Sequence, residues 1–468
     1  MWRRSKQSRL NPKRAGNHAR EPSGYLLVVS VDAFFLTSPP ILPASMPLHS
    51  RPFGPQTVRE AMREATIAIT GLEPHEEQLD VAVAIYYNRD VVLIAGTGWG
   101  KTLAFIMPCF LDKKITIIIV SPLNALEDNQ AQRFQEWGLK ATAVNSATRK
   151  AEWRLIKAIA ASHFQVVVTS PENLLSPDCL RPVLTKLAFA QHAKIIVDEA
   201  HCICLWGPKF RPCWGRLGEI QSLVPFRVPF LLATATATPS MITEMTKSVH
   251  MRAGYLFVNL GNFRPNLVWE VEIMKERSTL QEQVGFLIPE NSSLANFLVD
   301  ECVLLYVNSR AAAHKLAYAL CKLLPSTMRH TVEIFHAIRG PLTKAWILYK
   351  IFNKGLRILI CTKAAGMGCD FPNIRLVVQY MAPDNMISWI QRGGRGGRDS
   401  TRCRCLLLVE PGIVKKKTTK NASGKCVPIE PVEYSKACDD VMHQYILTEE
   451  CRWKFIDNHF QNPGHGHK

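Results

Sequence analysis

The chain has 468 residues, 47% of them hydrophobic and 21% charged, which excludes a disordered or fibrous protein and allows two or three ordinary domains. Lys and Arg number 57 against 39 Asp and Glu, a formal charge of +18, and that balance suits a polyanionic partner. The 14 cysteines include no CxxC pair; Cys202 and Cys204, like Cys403 and Cys405, are one residue apart, a poor zinc spacing, and nothing here implies a disulfide framework.

Residues 1–55 differ from the rest. Arg3, Arg4, Lys6, Arg9, Lys13, Arg14 and Arg20 come without an acid, and the apolar run Tyr25–Leu36 leads into a Pro-rich stretch. The run is too short to span a membrane and carries Asp32. No other segment reads as transmembrane, so no membrane partner is expected. A basic, acid-poor leader suits a targeting signal or a disordered tail, and we read it as a disordered extension.

From about residue 56, short apolar runs alternate with segments of helical length. Val91–Ile94, Ile115–Val120, Val166–Thr169, Ile195–Val197 and Phe230–Ala233 read as strands, with helices over Asn124–Trp137 and Lys150–Ala161 among them. Val303–Val307, Val332–Phe335, Ile358–Cys361, Leu376–Tyr380 and Cys405–Val409 repeat the order, between helices at Ala311–Leu324, Thr343–Asn353 and Met386–Arg392. Fully apolar strands separated by helices predict parallel sheets covered on both faces. The fold class is therefore α/β, with two tandem domains over 56–262 and 263–412. Residues 413–468 read as a Lys-rich linker and a helical remnant.

The strand Val91–Ile94 runs into Ala95-Gly96-Thr97-Gly98-Trp99-Gly100-Lys101-Thr102. Small residues between a strand and a helix let backbone N–H groups converge on phosphates, Lys101 neutralises the outer phosphates, and the Thr102 hydroxyl suits Mg²⁺. These residues predict ATP as ligand. The strand at Lys194–Val197 ends in Asp198-Glu199-Ala200-His201; an acid there lies beside the phosphate loop of a parallel sheet. Asp198 would hold Mg²⁺, and Glu199 would polarise the attacking water. Thr234-Ala235-Thr236 could bond that acid loop. In the second half, Gln391-Arg392-Gly393-Gly394-Arg395-Gly396-Gly397-Arg398-Asp399 points arginines from a tight backbone, as stabilisation of a transferring phosphoryl group requires.

These strings together resemble the two motor domains of superfamily 2 helicases, and several resemble the RecQ family. His201–Pro212 resembles its aromatic-rich loop, Ser121-Pro122-Leu123 its first DNA-contacting motif, and Phe263-Arg264-Pro265-Asn266-Leu267 the phrase opening its second motor domain. Ala365–Arg375 resembles its fifth motif, and Asn308-Ser309-Arg310 with His336 its fourth and the phrase after it. The resemblance covers about residues 60–410. It implies two RecA-like domains facing each other over an ATP cleft and 3′ to 5′ translocation on DNA, single-stranded or opened from duplex. It places Gln78 at the adenine, Asp370 at the ribose, and Arg395 and Arg398 at ATP, Arg398 as the finger. It puts Ser121, Pro122, Trp206, Phe210, Arg211, Asn308 and Arg310 on nucleic acid. A nuclear location with a role in repair or recombination follows from the same resemblance, with the mitochondrion as the alternative that the basic leader leaves open.

Three residues depart from the family pattern: Trp99, at a position usually small and expected to crowd the phosphate loop; Arg392, where RecQ proteins have an acid; and His75, where they often have Arg. The alternatives are an RNA helicase of the DEAD/DEAH kind, disfavoured by the Trp206–Pro212 loop, and a binding relic, disfavoured by the intact Lys101, Asp198, Glu199 and Arg398. Thr448–Phe455 resembles the start of the RecQ zinc module, but no cysteine follows Cys451, and a structural zinc wants four ligands. Purified protein is therefore expected to carry no stoichiometric zinc and to unwind duplex poorly. Zinc that resists a mild chelator and depends on Cys451 would overturn this.

Overall fold

The computed structural model describes residues 54–463 except 123, 153, 208–209, 289–300, 364–370, 421–425 and 429–432. The expected N-terminal extension and Asp370 lie outside the described residues. Two all-parallel sheets organise the rest. The first has seven strands: β1 (Val91–Ile94), β2 (Thr116–Val120), β3 (Ala141–Val144), β4 (Val166–Thr169), β5 (Ala193–Asp198), β6 (Phe230–Thr234) and β7 (Leu256–Asn259), in spatial order β3-β4-β2-β5-β6-β1-β7. The second has six: β8 (Leu267–Ile273), β9 (Cys302–Tyr306), β10 (Val332–Phe335), β11 (Ile358–Cys361), β12 (Ile374–Tyr380) and β13 (Cys403–Val409), ordered β10-β11-β9-β12-β13-β8.

Central strands such as β1 and β2 are buried at every residue because helices cover both faces. Each sheet accordingly separates two cores. One face of the first packs Leu93 and Ile119 with Phe105 and Phe134; the other packs Ile118 and Val197 with Trp214 and Phe230. The helices packed along the two sheets include α1 (Pro55–Thr70), α2 (Glu76–Tyr86), α3 (Lys101–Ile106), α4 (Asn124–Glu136), α5 (Cys202–Trp206), α6 (Arg310–Leu323), α7 (Pro341–Phe352) and α8 (Met386–Gly393). The helix expected over Lys150–Ala161 is two short ones, Ser146–Ala151 and Leu155–Ala160, the first opened by an Asn145 side chain that caps Ala147 and Thr148.

The C-terminal segment is built into the second sheet. Helices α9 (Asp440–Leu447) and α10 (Arg452–Phe460) bury Met442, Tyr445, Trp453, Ile456 and Phe460 in the core that also holds Leu267 and Trp269. The Trp453 ring meets Phe263 edge-on at 4.8 Å and Trp269 at 5.6 Å, and its indole N–H donates to the Leu267 carbonyl at 3.2 Å. Trp453→Ala is expected to destabilise the chain by about 3–5 kcal/mol, with Trp453→Phe costing less. Denaturant melts of the full chain test this, and a change below about 0.5 kcal/mol would show that α10 is not part of this core.

Candidate active site

The strand ends fix where the chemistry sits. Because β1 and β5 are parallel and lie two places apart with β6 between them, the loops leaving their C-terminal ends meet above the same edge. The β1 loop carries residues 95–100 into α3. Its tight path needs glycine at two points: Gly98 has φ +93° and Gly100 φ +91°, and a β-carbon on Gly100 would stand 2.8 Å from the Gln78 amide nitrogen. The Lys101 ammonium is folded over this loop, donating to the carbonyls of Ala95 at 2.8 Å and Gly96 at 3.3 Å. Thr102 follows in the first turn of α3.

Asp198 and Glu199 leave β5 beside it. An Asp198 carboxylate oxygen accepts the Glu199 backbone N–H at 3.0 Å, and the other faces the Gln130 amide at 3.4 Å. Glu199 has φ +53°, a left-handed backbone that ordinary residues rarely adopt, and its buried Oε2 makes no hydrogen bond. Burial, then the neighbouring Glu199, pushes the Asp198 carboxyl upward, with Lys101 opposing. Burial lowers Lys101, with Glu199 and Asp198 opposing and the charges of Arg395 and Arg398 adding to the lowering. Both guanidiniums of the second domain therefore act on the phosphate loop of the first.

A nucleoside triphosphate fits this arrangement. The glycine cradle has no β-carbon to obstruct phosphate, the Lys101 ammonium lies on it, and Glu199 keeps an oxygen ready to accept a proton from water. A divalent cation would be held by the Asp198 carboxylate and the Thr102 hydroxyl, where it would neutralise phosphate charge.

The arginine loop is held rigidly. Arg264 donates to the carbonyls of Gly394 (3.0 Å) and Gly397, and the Asn266 amide donates to the carbonyls of Gly397 and Thr401, both at 2.7 Å. Asp399 takes both Arg375 guanidinium nitrogens, at 3.1 and 2.9 Å, and the Thr401 hydroxyl. These bonds lower its carboxyl to about 2. Glycine is required where the loop turns: a β-carbon on Gly393 would lie 2.3 Å from the Trp269 ring, and one on Gly396 2.2 Å from the Cys403 sulfur. Sequence reasoning noticed Phe263–Leu267 as a family phrase but not this work; Arg264 and Asn266 act on a segment about 130 residues away, which only the fold reveals.

A second link crosses the cleft. Gln391 Nε2 lies 2.9 Å from His201 Nε2, and His201 Nδ1 lies 2.9 Å from the Thr234 hydroxyl and 3.4 Å from Glu199 Oε2. Burial lowers the His201 pKa, so the ring is neutral; Nε2 then accepts from Gln391 while Nδ1–H donates to Thr234. The Thr234 hydroxyl donates in turn to the Thr236 carbonyl at 3.2 Å. Thr97, Thr236, Asn262, Trp269, Gln391 and Gly394 line the crevice between the sheets.

The remaining residues expected at the nucleotide or the nucleic acid make the following contacts within the chain. Trp99 does not crowd the loop: its ring stacks on His75, 6.0 Å apart and 24° from parallel, and packs on the first core. Gln78, expected at the adenine, is buried and donates to the Trp99 carbonyl at 3.2 Å and the Gly100 carbonyl at 3.1 Å, so it braces the loop from beneath. The Ser121 side chain is fully buried, and the Pro122 carbonyl accepts from Arg211. Arg211 does not project: its Nε bonds Glu172 at 2.7 Å, its other nitrogen also meets Glu172, and its guanidinium covers the Trp206 ring at 5.6 Å. Behind it Glu127, which the sequence did not single out, is fully buried with both oxygens unbonded, and burial pushes its carboxyl to about 8. Trp206 packs edge-on against Trp214 at 6.0 Å, leaving Phe210 as the exposed aromatic of the loop. Asn308 donates to the Ala382 carbonyl at 2.7 Å and accepts from Arg392 at 3.2 Å, while Arg310 is exposed. Arg392 is buried beside the Tyr306 ring with Asn308 and Gln379 as its bonding partners. Cys451 is exposed ahead of α10, and among the described residues no group of three or more His, Cys, Asp or Glu could hold a metal.

Comparison with known proteins agrees with this geometry. Residues 75–245 match the DEAD/DEAH box helicase family and residues 290–400 the helicase conserved C-terminal domain, together more than half of the chain. The chain is 28% identical over 407 residues to the ATP-dependent DNA helicase RecQ of Synechocystis sp., covering 84% of this chain and 76% of that one. It is 26% identical over 391 residues to the ATP-dependent DNA helicase Q1 of Rattus norvegicus, covering 82% of this chain and 59% of that one. It spans only 28% of the length of ATP-dependent DNA helicase Q-like 4B of Arabidopsis thaliana. Among solved structures, the Mycobacterium smegmatis helicase Lhr bound to single-stranded DNA and AMP-PNP has the same fold, with a TM-score of 0.56 at 19% identity over 75% of this chain and 47% of that one.

Arg264→Ala is expected to lower the rate of nucleotide hydrolysis on the order of a hundredfold, because a small misplacement of the arginine loop is enough. The KM for nucleotide should stay within about twofold, since the phosphate loop is untouched. Steady-state kinetics check this; a rise in KM alone would make Arg264 a ground-state binding group.

Proposed function

We propose that this chain, a member of the RecQ family of DEAD/DEAH-type helicases, is an ATP-driven motor that moves 3′ to 5′ along single-stranded DNA and by itself separates duplex only weakly. The observation that carries the reading is the contact of the arginine loop of the second domain with the phosphate and acid loops of the first: Gln391 Nε2 lies 2.9 Å from His201 Nε2, and Gly394 packs beside Thr97. Two sheets that each supply part of one phosphate site must come together to hydrolyse and can part afterwards.

The roles follow from the positions. Backbone N–H groups of residues 96–100 and the Lys101 ammonium bind and orient the phosphates. A divalent cation, with Mg²⁺ as the fitting one, spreads the charge of the outer phosphates when bound at Thr102 and Asp198. Glu199 Oε2 takes the proton of the attacking water, whose oxygen bonds to the terminal phosphorus as the bridging oxygen leaves on the diphosphate. Arg395 and Arg398 stabilise the charge at the equatorial oxygens, Arg398 as the finger. The Gln391–His201–Thr234 contacts then tie the acid loop to the second domain, so the state of the phosphate site is felt at the strand-facing loops. Phe210 is the exposed aromatic on which a base can stack, and Arg211 shapes that loop from within.

A test is ATP hydrolysis measured with and without oligo-dT. The parent should be stimulated by the strand. Lys101→Ala should bind nucleotide weakly, and Glu199→Gln should bind ATP yet hydrolyse it about 10²–10⁴-fold more slowly. Parental hydrolysis by Glu199→Gln would end the assignment of the water-activating base; a parent indifferent to oligo-dT would end the motor reading.

A further inference from the structure

Helix α7 is apolar on two sides, and only one of them is covered. Ile347 and Ile351 are buried against the second sheet. On the opposite side Leu342, Trp346, Tyr349 and Phe352 recur at helical spacing and are exposed, Leu342 at 88%, Trp346 at 54% and Tyr349 at 57%. Ile338, just before the helix, is exposed as well. A contiguous face of this kind marks an interaction surface.

The charge around it tells what fits. Residues 334–369 contain no Asp or Glu but hold Arg339, Lys344, Lys350, Lys354, Arg357 and Lys363. Within the face, the Trp346 and Tyr349 rings lie nearly parallel, 13° apart with centroids at 5.4 Å, and the Lys350 ammonium sits 5.7 Å from the Trp346 ring centre. At the start of α7 the surface runs into a cationic cluster. The His336 and His314 rings are 5.7 Å apart, and Arg339 and Arg310 lie close enough that, after burial, their charges and that of His314 lower the His336 pKa. Lys350 is paired with Glu333 and Lys363 with Asp384, yet Arg310, Arg339, Lys344 and Lys354 leave the surroundings net positive, and stacked rings set there match a polyanion that carries flat bases. An apolar protein groove would satisfy Leu342 and Phe352 but would gain nothing from the net positive surroundings, and a second copy would set Arg339 and Lys344 against their own kind.

We propose that the Leu342–Phe352 face of α7 is a landing surface for single-stranded nucleic acid, with bases stacking on Trp346 and Tyr349 where the strand adjoins the cationic pair Arg310 and Arg339 beside His336. This rests on the reading of the chain as a strand-tracking motor and extends its track onto a helix outside the ATP cleft. Here the strand is held by stacking and charge, without base-edge readout, so pyrimidine and purine strands should bind alike.

The test uses the full chain with fluorescein-labelled oligo-dT, one short strand and one three times as long, read by anisotropy and by tryptophan quenching. Trp346→Ala and Tyr349→Ala, alone and together, should keep the parental melting temperature because both rings are half exposed. Each should lower affinity for the long strand about tenfold and shrink the gain from the short strand to the long one; Trp346→Phe should recover most of the loss. Long-strand affinity unchanged in the double variant overturns the surface alone. A double variant that binds the strand as the parent does but changes its sedimentation coefficient makes this face a contact between copies. A parent that binds neither strand overturns the motor reading, and this surface with it.

Discussion

Thr97 and Gly394 bring the two sheets into contact, and the rest of the site depends on that approach. A β-carbon on Gly394 would stand 3.4 Å from the Thr97 hydroxyl oxygen and 3.1 Å from the Ile390 carbonyl. A larger residue would hold the arginine loop off the phosphate loop, and Arg395 and Arg398 would then lose their reach to the region of Lys101. The neighbouring glycines serve the same end by letting the loop sink against Trp269 and Cys403. The clamps by Arg264, Asn266 and Asp399 matter for this reason: a backbone rich in glycine has no side-chain bulk to fix it, so its carbonyls have to be held from outside.

The charges in the cleft then make sense together. Lys101, Arg395 and Arg398 face Asp198 and Glu199, with Lys101 bonded only to loop carbonyls. A buried ammonium bonded to carbonyls is costly until an anion joins it, and a triphosphate with a divalent ion supplies that anion. The same burial that lowers Lys101 keeps His201 neutral. A neutral ring can accept from Gln391 on one nitrogen and donate to Thr234 with the other, which an imidazolium cannot do. The bridge between the domains thus needs a dry cleft.

Much of this was legible in the sequence because central strands of a parallel sheet are apolar at every position. In the two parallel sheets the three strands that escaped notice, β3, β7 and β8, are all edges, and a short antiparallel pair, Thr418–Lys420 with Cys426–Pro428, stands in the segment expected as a Lys-rich linker. An edge strand has one open side, and its buried residues alternate with half-buried ones, as Leu267, Val268, Trp269 and Glu270 do. The phosphate loop, the acid pair and the arginine loop were also legible, since each is a short local string with its own chemistry. What could not be read were relations across distance. Arg264 and Asn266 hold a loop about 130 residues on. Arg211 looks like a free cation in sequence but is bound by Glu172 from another loop. Trp99 was expected to intrude because its position is usually small, yet a ring that can stack on His75 turns outward and leaves the phosphate path clear.

The hinge gathers these contacts into one place. Asn262 lies in the short connection between β7 and β8, and its Cα would be 3.3 Å from a β-carbon on Gly96 in the phosphate loop. Its side chain donates to the Ala235 carbonyl at 3.4 Å and accepts from Asn462 at 3.0 Å, while Asn462 also donates to Asp457 of α10 at 2.9 Å. Helix α10 is anchored in the second core through Trp453, so the C-terminal turn bonds to a residue that touches both the phosphate loop and the Thr234–Thr236 segment. Rotation of one sheet against the other has to occur around Gly261–Phe263, because that is where the chain passes between them. It cannot occur there without moving Asn262 relative to Gly96, Ala235 or Asn462. The hinge is therefore not a free linker: any opening of the cleft is coupled, through two side-chain hydrogen bonds and one close backbone approach of a single buried residue, to the phosphate loop on one side and to the C-terminal helices on the other.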